Sequence, residues 1–138
     1  MILVSNTTLG LSCILDWRSK KLRVVASSTA AEMLAANDTL DMMVYIRSVL
    51  GELFGDAGHE IPMVLSTDSK NLHKAVINTT LVENPRLRTD IAMLKGSLKS
   101  RELSKFLHVQ GKYMIANVLT KKGAAGFMLL SLLRTCKK

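Results

Sequence analysis

Hydrophobic and polar positions along this chain fall into runs whose periods predict an alternation of strands and helices. Ile2–Ser5 and Ser12–Trp17 are short apolar runs of strand type. The polar, glycine-ended stretch Asn6-Thr7-Thr8-Leu9-Gly10 between them predicts a hairpin. Arg18-Ser19-Lys20-Lys21 is a basic exit, and Leu22–Ala26 continues the chain. From Ser28 and Thr29 the period changes to that of a helix. Ala36, Leu40, Met43, Ile46 or Arg47, and Leu50 recur three or four apart, on a face that begins near Glu32 and runs to about Phe54. Thr29-Ala30-Ala31-Glu32 has the spacing of a capping box, in which hydroxyl and carboxylate satisfy each other's backbone amides.

Gly55-Asp56-Ala57-Gly58 reads as a loop and Ile61–Ser66 as a buried strand, with Pro62 tolerated at its start. Thr67-Asp68-Ser69 leaves that strand for a short helix, Asn71–Ile77. Asn84-Pro85 punctuates. Leu87, Ile91, Leu94 and Leu98 then mark a helix over Arg86–Arg101. Leu103–Val109 reads as a strand with Gly111 as its turn. Ile115–Leu119 and Ala124–Arg134 read as helices split by Lys121-Lys122-Gly123. The order is β-β-α-β-α-α-β-α, with no internal repeat and no linker, so residues 1–138 are expected to form one domain.

Composition narrows the class. With 138 residues, 48% of them apolar, the chain can bury roughly 68–70% of its unfolded surface, which excludes a disordered tail. The longest apolar run, Ala124–Leu133, is too short to span a bilayer, and Met1-Ile2-Leu3-Val4 has no basic flank of a signal peptide. A soluble, intracellular protein with no membrane partner is the expectation. Cys13 and Cys136 lie far apart with no C-x-x-C spacing, and His59, His73 and His108 stand alone. Packing or surface roles are favoured for all five, and no zinc motif is present. Gly111-Lys112 lacks the upstream glycine of a phosphate loop.

Charge adds a direction. The net charge is +8, but residues 1–69 hold five Lys and Arg against eight Asp and Glu, whereas residues 70–138 hold fourteen against three. A basic half beside a mildly acidic one suits a polyanion-binding surface next to a carboxylate site. Aromatic residues make up only 4%, so nucleic acid would be held by its backbone rather than by base stacking.

Three polar positions fall where strands and helices meet: Glu32 in a first helical turn, Asp68 past a buried strand, and Asn117 near a late helix start. Converging acids at strand ends are what divalent-metal hydrolysis of phosphodiesters needs, because hard cations take oxygen ligands. Each acid has a plainer reading from spacing alone. Glu32 completes a capping box, and Asp68 caps the helix that follows it.

Four blocks shift that balance. Trp17-Arg18-Ser19-Lys20-Lys21-Leu22-Arg23-Val24-Val25 with Ser28-Thr29-Ala30-Ala31-Glu32 resembles the ribonuclease H domain of copia-type LTR retrotransposon Pol polyproteins. So do Ser66-Thr67-Asp68-Ser69-Lys70-Asn71-Leu72, then Leu87-Arg88-Thr89-Asp90-Ile91-Ala92, and finally Ile115-Ala116-Asn117-Val118-Leu119-Thr120-Lys121-Lys122-Gly123. They stand in the family's order and cover nearly the whole chain. The resemblance implies an α/β ribonuclease H-like fold, a five-stranded mixed sheet flanked by helices. It implies four carboxylates holding two Mg²⁺ or Mn²⁺ ions that cut RNA in an RNA–DNA hybrid. Glu32 matches the second carboxylate and Asp68 the third, and both would bind metal. Asn117 stands where the family has Asp. Lys70, Lys121 and Lys122 flank the matched blocks as candidate phosphate contacts.

The strand bearing the first carboxylate has no counterpart, since the opening hairpin matches the family's second and third strands. Two of four charges are therefore missing, which implies weak or absent cleavage unless Asp16 or another chain supplies an acid. The alternative is a non-catalytic module that keeps the fold to bind nucleic acid or to oligomerise. The absent strand is central in the family. The gap is expected to close by pairing of Ile2–Ser5 with Val64–Ser66, or by strand sharing in a homodimer.

Overall fold

The computed structural model describes residues 1–6, 11–16, 18, 27–78, 85–119 and 130. The chain divides into two compact units, one of Met1–Lys21 with Val109–Lys138, the other of Leu22–His108. Both belong to a mixed α/β chain with short sheets.

In the first unit, β1 (Ile2–Asn6) and β2 (Leu11–Asp16) pair antiparallel, with Leu3 opposite Ile14, Val4 opposite Cys13 and Ser5 opposite Ser12. The register shifts between Ile2 and Leu3. The Ser5 and Ser12 hydroxyls meet across the ladder at 2.8 Å, the kind of polar cross-strand pair that fixes register on a solvent-facing side. Asp16 accepts from Arg18 Nε at 3.0 Å. It also faces the amino group of Met1, whose pKa is held below its ordinary value by burial, with the Asp16 charge opposing that shift. The same unit carries two short 3-10 segments, Gly111–Tyr113 and Ile115–Leu119. Ile115–Leu119 is thus a 3-10 segment rather than the expected α-helix.

The second unit contains α1 (Ser28–Phe54), α2 (Asp56–His59), β3 (Met63–Thr67), α3 (Lys70–Ile77), α4 (Pro85–Lys99) and β4 (Leu103–His108). β3 and β4 pair parallel, with Leu65 opposite Phe106 and Thr67 opposite His108. Two helices lie between them in sequence, the kind of long crossover that a parallel pair requires. Met63, Leu65 and Thr67 alternate inward along β3. They join Leu103 and Phe106 of β4, Met33, Ala36 and Leu40 of α1, Leu72 and Val76 of α3, and Ile91 and Leu94 of α4 in one buried core, where Thr67 is the sole buried polar side chain among the described residues. The predicted stripe of α4 is the buried one, since Leu87 and Leu98 pack against the core that Ile91 and Leu94 enter. Val64 and Leu107, on the opposite face of the ladder, are exposed.

The joint between α1 and β3 differs from the loop expected at Gly55–Gly58. Gly55 ends α1 with φ +63°, a left-handed conformation that glycine adopts without strain. The chain then makes one further helical turn, α2. Gly58 packs so closely on the Leu50 carbonyl that a Cβ there would overlap it, and the His59 ring occupies the space a Cβ on Gly51 would need. Docking against α1, rather than local propensity, makes this turn helical.

The four-stranded sheet expected from pairing Ile2–Ser5 with Val64–Ser66 is not what the described residues form. They form two separate two-stranded ladders, β1 with β2 and β3 with β4. Each strand of the hairpin has its nearest partner in sequence, which costs little loop entropy.

Candidate functional site

The direction of α1 decides which candidate residues share an end of the β3–β4 ladder. A short connection through α2 returns the chain from the end of α1 to the start of β3. Arg47 Nη1 donates to the Glu102 carbonyl, just before β4, at 3.2 Å, and Ser97 Oγ donates to Glu102 Oε2 at 3.0 Å. The Arg47 bond holds the later half of α1 at the amino-terminal end of the ladder, so α1 runs antiparallel to it, while the Ser97 bond ties the end of α4 to the same residue. From Arg47 back to Glu32 the helix climbs roughly 22 Å at about 1.5 Å per residue. From Glu102 to His108 the strand covers roughly 20 Å at about 3.3 Å per residue. Glu32 therefore lies on the half of α1 that extends toward the carboxyl end of the strands. Asp68, the residue immediately after β3, stands at that same end.

The local roles that compete for these two carboxylates are filled by serines. Ser27, with extended backbone, caps α1: its Oγ accepts from Ala30 N at 3.2 Å. The capping box expected at Thr29–Glu32 is not formed, because the helix begins at Ser28 and places Glu32 past its first turn. Ser69 caps α3, with Oγ accepting from Leu72 N at 3.3 Å, and Thr67 Oγ1 accepts from Ser69 N at 3.1 Å. Asp68 is passed over in this sequence of caps. Glu32 Oε2 is buried and has no hydrogen-bond partner. A buried acceptor left unpaired costs about 1–3 kcal/mol, so this oxygen fits a cation as its missing partner.

Asn117 has a different occupation. It lies in the unit that contains Val109–Lys138, while Glu32 and Asp68 lie in Leu22–His108. Its Nδ2 donates to the Gly111 carbonyl at 2.6 Å, and its backbone N–H donates to the Met114 carbonyl at 3.0 Å. The side chain closes the turn between the two 3-10 segments, a bond that an Asp carboxylate could not make because it has no N–H to donate. Asp16 is engaged by Arg18.

Lys70 is exposed at the start of α3, two residues beyond Asp68. Lys121 and Lys122 lie outside the described residues, as does the expected helix Ala124–Arg134 apart from Leu130, which is helical and exposed. Among the described residues no three His, Cys, Asp or Glu side chains gather as a metal-binding group, so Glu32 and Asp68 offer at most a two-carboxylate site. No helix among the described residues is long and apolar enough to cross a membrane. No protein-family model, curated protein or solved structure matches this chain.

Proposed function

We propose that this chain is a ribonuclease H-like domain, of the kind found in copia-type retrotransposon polyproteins, that binds RNA–DNA hybrid and cleaves it weakly or not at all. The observation that carries this reading is that Ser27 and Ser69 take the capping roles, while α1 runs antiparallel to the ladder and Asp68 directly follows β3. Each carboxylate is thereby left without a local structural duty. The crossover order, with two helices between the parallel strands β3 and β4, agrees with the family's mixed sheet.

Glu32 and Asp68 are the residues that would hold Mg²⁺ or Mn²⁺. When bound, such an ion polarises a phosphoryl oxygen and lowers the pKa of its water. Affinity for hard cations follows the number and charge of oxygen ligands, and two carboxylates make a weak site. Asn117 gives a specific reason to favour the non-catalytic form of this reading. It offers one neutral amide oxygen where the family has an anionic carboxylate, and its Nδ2 donates to the Gly111 carbonyl. Lys70, two residues beyond Asp68, would neutralise a phosphate there, and Lys121 and Lys122 are further candidates for phosphate contact. The edge of β3 opposite β4 carries no ladder among the described residues, and a second copy of the chain is the partner this reading would place there by strand sharing.

The test is a labelled RNA–DNA hybrid titrated with purified protein in Mn²⁺ and in EDTA at several salt concentrations. Binding should persist in EDTA and weaken steeply with salt, since every neutralised phosphate releases counterions. Cleavage in Mn²⁺ should be far below that of a four-carboxylate enzyme and should vanish in Glu32→Gln. No binding at low salt would remove nucleic acid as the partner.

A further inference from the structure

We infer that His73 and His108 form a two-imidazole site for a borderline divalent transition ion such as Zn²⁺. The two residues are far apart in sequence, but the topology brings their rings together. α3 starts directly after β3 and packs over the same face of the ladder that Phe106 enters. His108 follows Phe106 by two positions on β4 and so shares its face. His73 lies on α3 next to the fully buried Leu72.

The His73 and His108 ring centroids are 6.0 Å apart and tilted by 58°. His73 also stacks on Phe106, at 5.6 Å and 24°, which fixes the plane of its ring. Both histidines are partly buried rather than free on the surface.

Zinc–nitrogen bonds of about 2.0–2.1 Å in tetrahedral geometry place two imidazole centroids roughly 5 Å apart. The observed pair needs to close by about 1 Å, within the reach of small side-chain rotations. No third His, Cys, Asp or Glu completes the set among the described residues, so water fills the remaining positions. Imidazole selects Zn²⁺, Ni²⁺ or Cu²⁺ over Mg²⁺ and Mn²⁺, which the oxygen ligands Glu32 and Asp68 favour. The inference does not depend on hybrid binding, and its failure would leave that reading untouched.

The test is Zn²⁺ titration of the whole chain, followed by calorimetry and by the imidazole resonances of all three histidines. One ion per chain should bind, shifting His73 and His108 together and leaving His59 in place. His73→Gln and His108→Gln should each weaken Zn²⁺ binding by more than about 100-fold, beyond the roughly 10–100-fold effect of losing an outer-sphere partner. His59→Gln should bind Zn²⁺ as the unaltered chain does. The metal-free amide spectrum of each variant checks the fold. If one variant unfolds, the paired shifts in the unaltered chain decide the matter. No binding, a shift of His59 or a thiol instead, or unchanged affinity in a folded His73→Gln or His108→Gln variant would overturn the inference.

Discussion

Glu32→Met separates a site residue from a structural one, because the two roles predict opposite changes in stability. Glu32 Oε2 is buried with no hydrogen-bond partner, and methionine matches the side chain in length while removing that acceptor. Orphaned buried polar atoms cost about 1–3 kcal/mol. The residue as a whole is partly exposed, so the gain should lie near the low end, about 1 kcal/mol. In EDTA, urea unfolding should therefore show Glu32→Met to be the more stable protein. Adding cation should reverse the order. A weak site with a Kd of about 1 mM, saturated at about 10 mM Mn²⁺, stabilises the folded state by about 1.4 kcal/mol. Only the unaltered chain should receive that increment. Destabilisation of Glu32→Met in EDTA, or an equal Mn²⁺ effect on both proteins, would refute the reasoning.

Further outcomes follow from individual contacts. Asn117→Asp should lose the bond to the Gly111 carbonyl and set a carboxylate against it, costing about 1–3 kcal/mol in the stability of its own unit. Amide exchange over Gly111–Leu119 reads this directly. Ser69→Ala should destabilise by about 1 kcal/mol in urea titration even with Asp68 intact, because Asp68 does not cap α3. Arg101→Gly should stabilise by about 1 kcal/mol in the same assay. Arg101 holds φ +61° beyond α4, with its N–H donating to the Leu98 carbonyl, and a side chain there is strained.

The periodic signals in the sequence were legible because burial produced them. Leu87, Ile91, Leu94 and Leu98 mark the face α4 turns to the core, whereas the strand read as buried over Ile61–Ser66 is β3, Met63–Thr67, which buries only Met63, Leu65 and Thr67. The hairpin is legible for a different reason: two apolar runs lie close in sequence on either side of a short polar stretch. The capping residues were not. Ser27, Ser28 and Thr29 all carry a hydroxyl, and only the extended backbone at Ser27 selects the one that caps α1. The helical turn at Asp56–His59 was hidden because Gly58 and His59 owe it to contacts with Leu50 and Gly51, on the preceding helix. His73 and His108 gave no local signal, since spacing rules see ligands close in sequence and this pair meets through a parallel crossover. Glu32 and Asp68 were singled out by the four blocks alone, and the direction of α1, which bears on their placement, has no signal in the sequence.

The co-location of Glu32 and Asp68 is the centre of this account, and Mn²⁺ reports on it directly. Paramagnetic broadening is titrated into the ¹⁵N-labelled chain, with amides around residues 32 and 68 followed together. The account predicts that both sets broaden at the same low Mn²⁺ concentration, and that Glu32→Gln and Asp68→Asn each abolish the effect at both places. Broadening at only one of them, or first at a different part of the chain, would contradict it.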